Sequence, residues 1–173
     1  MKKSKMIILK KLNLKSDISK KYQNWMNDLK VTEFTEQKYK KHSLEDIRKF
    51  VNEKNKSKNE FLYGIFLKQD SLKLHIGNIK LGLINYRNKS AEISYFLGEK
   101  KCWGLGYTSI AIGKIIKIAK KKKIKKLKAG TNEKNIGSIK VLIKNGFKLE
   151  GKLKSEILYK GRRYEAHLFG KIL

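Results

Sequence analysis

Residues 99–108 read Glu-Lys-Lys-Cys-Trp-Gly-Leu-Gly-Tyr-Thr, and no other stretch limits the fold as strongly. The run before it, 91–98, alternates and is rich in aromatic and β-branched residues, which is the pattern of a strand. After it, Ile110, Ala111, Ile115, Ile118 and Ala119 recur at helical spacing, and the run ends in lysines. Gly104 and Gly106 let the backbone turn tightly at this junction and aim several N–H groups at one point. A helix N-terminus makes that point favourable for an anion. The junction therefore predicts a phosphate or pyrophosphate site.

Two common phosphate loops match poorly. A Walker A loop needs Lys-Ser/Thr after its second glycine, where Tyr107 stands. A dinucleotide fingerprint wants a third glycine where Ser109 stands. The stretch instead resembles the acyl-CoA loop of the GNAT acetyltransferase superfamily, Gln/Arg-x-x-Gly-x-Gly/Ala, matched by Lys101-Cys-Trp-Gly104-Leu-Gly106. Lys101 departs from the first position of that pattern but keeps a cation beside the phosphates. Downstream, Asn135-Ile-Gly-Ser138 and Leu142-Ile-Lys-Asn145-Gly146-Phe147 resemble the superfamily's Asn-x-x-Ser and Lys-x-Gly-Phe segment. Two motifs in order, about thirty residues apart, make the resemblance much more specific than either alone.

At 173 residues the chain is the size of one domain, able to bury roughly two-thirds of its unfolded surface. No apolar run approaches membrane-span length, and the N-terminus has neither a signal-length apolar segment nor a cleavage site, so a cytoplasmic location is expected. The single cysteine, Cys102, excludes an internal disulfide. Three scattered histidines give no metal-ligand spacing, and no metal is expected.

The net charge of +28 comes from 43 cationic and 15 anionic residues, and only four of the cations are arginine. Such lysine-rich, proline-free composition reads first as compositional drift. The surface is attractive to a polyanion, but the lysines are spread over most of the chain. Nucleic-acid binding is therefore not the preferred reading.

In chain order, 6–12 reads as a strand. A helix capped by Ser16 or Asp17 runs to about residue 26, with Ile18, Tyr22 and Trp25 near one face. Residues 33–42 have no clean period and read as a loop or irregular turn. Ser43 followed by Asp46 is close to a capping box and opens a helix to about residue 54. Strands over 61–67, 74–83 and 91–98 are joined by short turns at 69–71 and 85–90, implying an antiparallel meander in which Gly77 and Gly82 mark bulges or close approaches. A strand at 125–129 and a helix at 135–144 closed by Asn145-Gly146 follow. Two last strands, 147–153 and 164–173, are split by a segment whose turn suits Lys160-Gly161. The layout is α+β, a mixed and mostly antiparallel sheet of about seven strands with about four helices, β-α-α-β-β-β-α-β-α-β-β, and it matches the superfamily from end to end. It forms one domain over 1–173.

The resemblance implies transfer of an acetyl group from acetyl-CoA to an amine. The pantetheine arm would lie along backbone groups near Phe96 and Leu97, and the pyrophosphate on the N–H groups of Trp103, Gly104, Leu105, Gly106, Tyr107 and Thr108, with Lys101 and Cys102 in the same loop. Asn135 either bonds the cofactor arm or caps its helix, and Asn132 is a further cofactor candidate. Ser138 occupies the position where relatives place the acid beside the thioester sulfur, and a helix-capping serine is the alternative. Glu92 is the base candidate, with an exposed strand glutamate as the alternative. Cys102 has no histidine nearby in sequence, so it is not read as a nucleophile. His42, His75 and His167 read as surface or strand residues. Trp25, Phe34, Tyr39, Tyr86 and Tyr159 either line an acceptor pocket or fill core, core being preferred for Trp25.

The segment Trp25-Met-Asn27-Asp28-Leu-Lys-Val31-Thr32 and the ending around Lys160-Gly-Arg162-Arg163 resemble two neighbouring groups. One acetylates amino sugars on nucleotide carriers, the other the N-terminal amines of ribosomal proteins. A pyrophosphate-linked sugar suits the basic surface with Arg87, Arg162 and Arg163. The expected partner is thus a small-molecule amine, foremost a nucleotide-linked amino sugar. A non-catalytic CoA- or nucleic-acid-binding module and a homodimer stay open.

Overall fold

The structure, a computed structural model, describes residues 6–69 and 71–173. The 69–71 turn includes residue 70, and the N-terminal reading includes residues 1–5; both lie outside the described residues. The chain runs β1 (Met6–Lys10), α1 (Lys20–Met26), α2 (Leu29–Thr32), α3 (Leu44–Lys56), β2 (Phe61–Gln69), β3 (Leu72–Asn85) and β4 (Ser90–Leu97). It continues through α4 (Tyr107–Lys121), β5 (Lys126–Asn132), α5 (Ile136–Lys144), β6 (Lys148–Tyr159) and β7 (Arg162–Ile172). Short 3-10 turns occupy Glu36–Tyr39 and Lys100–Cys102.

One sheet of seven strands, in the order β1-β2-β3-β4-β5-β7-β6, carries everything else. All neighbours are antiparallel except β4 and β5. That parallel pair is short: Ser90, Ala91 and Glu92 lie against Lys126, Leu127 and Lys128, and past Glu92 the strands part. Each half of the sheet is well hydrogen-bonded within itself, and the seam between them covers three residue pairs.

The two faces bury different cores. On one, α4 lays Ala111, Ile112, Ile115 and Ala119, all fully buried, against Ile65, Ile79, Leu81 and Ile93. These helix residues recur at three- and four-residue intervals, so one stripe meets the sheet. On the other, Tyr22, Trp25 and Met26 of α1 and Ile47 and Val51 of α3 pack on Leu62 and Phe66. The expected bulges on β3 are present: the register shifts between Ile65 and Phe66, next to Gly77, and again after Gly82.

Several expectations need correction. The α1 cap is Ser19, whose side chain accepts from the Tyr22 N–H, while Asp17 accepts from Lys10 Nζ at 3.0 Å and Asn13 N at 2.7 Å. The unexpected α2 at Leu29–Thr32 raises the count among the described residues to five α-helices, and the 33–42 region beyond it is the irregular stretch expected, holding the first 3-10 turn. The 155–163 segment is mostly strand: Ser155 (φ 54°) sits at a register shift within β6, and Lys160 and Gly161, both at positive φ, form a two-residue hairpin turn. The Ser43/Asp46 capping box is present at α3. No helix among the described residues is long and apolar enough to cross a membrane.

Candidate active site

The glycine junction forms the turn into α4. Gly104 (φ 75°) and Gly106 (φ 79°) are left-handed, and a Cβ at either would meet nothing within 4 Å. Conformation, not crowding, therefore requires glycine, and the space before the helix is open. Gly106 is the N-cap of α4 and brings no side-chain hydrogen bond, so the first-turn amides point into that space uncapped. Lys101 and Leu105 are exposed; Tyr107 and Thr108 are half-buried. The Cys102 side chain is buried in the α4 core, with its N–H donating to Glu99 O. Trp103 is 42% exposed and its indole N–H donates to Leu97 O at 2.8 Å, laying the ring back over the end of β4.

The Trp25 to Thr32 segment anchors this loop. A Cβ on Gly98 would lie 2.1 Å from Trp25 Cδ2, so the indole rests directly on the Gly98 backbone. Lys21 pairs with Glu99 at 2.8 Å and Lys100 with Asp28, which holds both carboxyls below their usual range. Asp28 also caps α2 through the Lys30 and Val31 amides. Asn27 clasps the main chain of His42: its Oδ1 accepts from His42 N at 2.9 Å and its Nδ2 donates to His42 O at 2.8 Å.

Between α1, α3 and the sheet lies a cavity of about 490 Å³ that reaches through the gap between β4 and β5. Ser94 and Phe96 of β4 line its helix side, and Tyr95, Asn135 and Ser138 its far side. Past Glu92, β4 has no strand partner on the β5 side, so its main chain there is available to an extended ligand arm. Tyr95 Oη and Ser138 Oγ are 2.7 Å apart. Burial pushes the Tyr95 phenol up to about 12, so it keeps its proton at neutral pH.

The remaining predicted residues are dispersed. Asn135 caps α5 by accepting from Ser138 N at 3.2 Å and also lines the cavity. Asn132 is buried outside the lining, its Oδ1 accepting from Lys134 N at 2.8 Å. Glu92 is exposed, opposite Gly82 and in the last β4–β5 pair before the strands part; it is outside the lining. Phe34 lines the cavity, Trp25 is core, and Tyr86 caps Lys58 O elsewhere. Tyr39 and Tyr159 bridge the region of the first 3-10 turn to the β6–β7 hairpin, Tyr39 Oη donating to Leu158 O and Tyr159 Oη to Glu33 Oε1.

Two histidines are not surface residues. His42 is 7% exposed, lines the cavity and bonds Gln37 O at 3.1 Å. His75 is packed among Tyr22, Trp25 and Phe66. Sequence reasoning also missed Tyr95 and the buried Asn78, whose strand positions looked like ordinary core. Outside the lining, Glu133, Glu165 and His167 bring their polar atoms within 4.8 Å of one another. His167 and Lys152 pair with Glu165 and hold its carboxyl below the usual range, so this is an ion-pair cluster.

A family model described as an acetyltransferase (GNAT) domain matches residues 7–148. The uncharacterized N-acetyltransferase p20 of Bacillus licheniformis is 33% identical over 95 residues, 54% of this chain and 53% of its own, so the chain spans about half the length of this curated relative. Among solved structures, the microcin C7 self-immunity acetyltransferase MccE, in complex with acetyl-CoA and AMP, superposes with a TM-score of 0.81 at 22% identity, covering 96% of this chain and 92% of that one. The spermidine N-acetyltransferase from Vibrio cholerae, in complex with CoA and spermine, gives 0.83 at 20% identity, covering 96% and 95%. The split sheet, the glycine turn and a model match over most of the length agree: this chain belongs to the GNAT acetyltransferase family.

Proposed function

We propose that this protein is an acetyl-CoA-dependent N-acetyltransferase acting on a primary amine, and that the amine is an amino sugar on a nucleotide carrier. The observation that carries the reading is the placement of an uncapped α4 N-terminus, with two left-handed glycines and open space, beside a β4 edge that has lost its partner. Helix-terminal amides suit a pyrophosphate, and an unpaired strand edge suits the amide-bearing arm of CoA. Trp103 would leave Leu97 O as that arm seats.

The reaction joins the amine nitrogen to the acetyl carbon, breaks the thioester C–S bond, takes one proton from the nitrogen and gives one to the departing thiolate. Ser138 and Tyr95 form the donor pair: both keep their protons at neutral pH, and the 2.7 Å contact lets the phenol resupply the hydroxyl. Glu92 is the base. Its place outside the cavity lining requires a water between it and the amine. The nucleotide carrier is favoured by the net charge of +28 and by AMP in the MccE complex. The N-terminal amine of a ribosomal protein is the second reading, carried by the Trp25 to Thr32 segment.

Calorimetric titration with acetyl-CoA tests the cofactor. Micromolar binding is expected for the wild type, and its loss in Gly104→Glu, which places a carboxylate in the phosphate space. Absence of wild-type binding would sink the transferase reading. In a thiol-release assay, Glu92→Gln, Ser138→Ala and Tyr95→Phe should each slow turnover at least about tenfold with acetyl-CoA affinity retained. A variant as fast as wild type removes that residue from the mechanism.

A further inference from the structure

We propose that Asn78 reads the acceptor, and that the cavity selects amines bearing an oxygen lone pair close to the reacting nitrogen. This rests on the transferase reading above and narrows its substrate class. Asn78 is 2% exposed and lines the cavity; its Nδ2 makes no hydrogen bond of ordinary geometry among the described residues, and the neighbouring Tyr22 phenol, which feels that amide, can engage at most one of its two N–H bonds, so at least one donor is unmet. A buried donor left without a partner forfeits its hydrogen bond to water with nothing in return, so the position is costly unless a ligand completes it.

The orientation of the amide is fixed by its neighbours. His75 Nε2 lies 3.0 Å from Gly77 O and 2.8 Å from Asn78 Oδ1. A main-chain carbonyl can only accept, so Nε2 carries a proton. The Asn78 atom facing it must then be the oxygen, which leaves the NH₂ group as the end with the unmet donor. The ring cannot easily turn away: it stacks on Phe66 at 4.8 Å between centroids and meets the edges of Tyr22 and Trp25 at 5.6 and 5.1 Å.

The backbone makes this pairing possible. Residues three apart on a regular strand point to opposite faces. Here Ile65 pairs with Gly77 and Phe66 with His75, so Ile76 is an extra residue, and the bulge turns His75 and Asn78 to the same side. Gly77 is required at the bend, because a Cβ there would lie 2.4 Å from Phe96 O.

A lone neutral N–H₂ requires a lone pair. A hydroxyl or ring oxygen of an amino sugar supplies one, as does the carbonyl next to a peptide's terminal amine. An aliphatic polyamine does not: its remaining nitrogens are protonated donors, and the lone pair of the reacting nitrogen is directed at the acetyl carbon. Nor does the cavity hold a surplus of acid for a polycation, since Lys40 and Lys80 line it along with Glu36 and Asp46, and Asp46 is engaged in the α3 capping box. His75 acts as a positioning residue through Asn78.

The test compares kcat/KM for a nucleoside-diphosphate amino sugar and an alanyl dipeptide amide with that for 1,4-diaminobutane, in wild type, Asn78→Leu, Asn78→Asp and His75→Phe. Wild type is expected to favour the better oxygen-bearing amine at least about tenfold, and Asn78→Leu to lose about tenfold of that ratio with acetyl-CoA affinity unchanged. Asn78→Asp keeps the bond from His75 but offers the cavity an oxygen, and should move the preference toward diaminobutane. His75→Phe should lower the ratio as well, whereas a merely structural role would lower melting temperature and leave the ratio alone. A wild-type preference for diaminobutane, or equal ratios in all four proteins, overturns the assignment. A loss of acetyl-CoA affinity in Asn78→Leu also overturns it, by giving the donor to the thioester. If no acetyl-CoA binds, the transferase reading fails, and Asn78 is then judged by ligand-observed NMR of the same three amines: equal signals in wild type and Asn78→Leu sink it independently.

Discussion

A histidine that must keep one particular proton and stay neutral makes folding sensitive to acid. Burial draws His75 below its ordinary value, so near and below pH 6.5 the unfolded chain binds a proton that the folded chain resists. Its contribution to stability is therefore complete above the unfolded pKa and lost as pH falls through it toward the folded one. Melting temperature should drop between pH 7 and pH 5, and the drop should be smaller in His75→Phe. An identical pH slope in that variant would place the sensitivity elsewhere. Asn27 offers a second test at this scale. Removing its amide in Asn27→Ala strips bonds from both main-chain groups of the buried His42. Gln23 Nε2 still reaches His42 O at 3.0 Å, so the main cost is the unpaired His42 N–H, and we expect a loss of about 1–3 kcal/mol, or roughly 2–12 °C in melting temperature. A change under 1 °C would mean that water replaces the clasp.

At the scale of elements, the contact between α1 and the phosphate loop is the tightest joint near the site. Gly98→Ala would drive a methyl into the Trp25 ring. It should cost about 1–3 kcal/mol or more and weaken acetyl-CoA binding, because the loop starts one residue later. Unchanged affinity in a destabilised protein would uncouple the joint from the loop. The elements themselves were legible in the sequence wherever their causes are local: glycines that need positive φ at 104 and 106, the Ser43 and Asp46 box, and the Asn145-Gly146 stop. What was not legible depends on distant partners. Ser138 could be chosen from its motif, but the tyrosine 2.7 Å from it lies 43 residues earlier, on a strand where an aromatic side chain reads as core. His75 and Asn78 look like opposite faces of one strand until a bulge, set by pairing with β2, brings them together. Helix α2 escaped because four residues are too few to show a period.

Taken whole, the molecule carries 43 cations against 15 anions, and like charges on a compact body repel. Added KCl should screen that repulsion, so melting temperature should rise by several degrees between about 20 and 300 mM salt. A fall would show that ion pairs such as Lys21 with Glu99 outweigh the general repulsion. The same salt series should weaken acetyl-CoA binding, since the ligand is an anion meeting a positive surface.

The seam of three residue pairs between β4 and β5 gives the sheet a mechanical character as well as a chemical one. Two stiff plates, β1 to β4 and β5 to β7 with β6, are welded along a line about one helical turn long, while every other joint in the sheet runs for five pairs or more. Bending concentrates where a structure is thinnest, so any flexing of the sheet falls on that line and changes the width of the opening next to it. A tilt of one plate against the other would thus change the width of the cavity, and what resists it is the α4-side core, which spans both plates from Ile79 and Ile93 to Leu127 and Phe169.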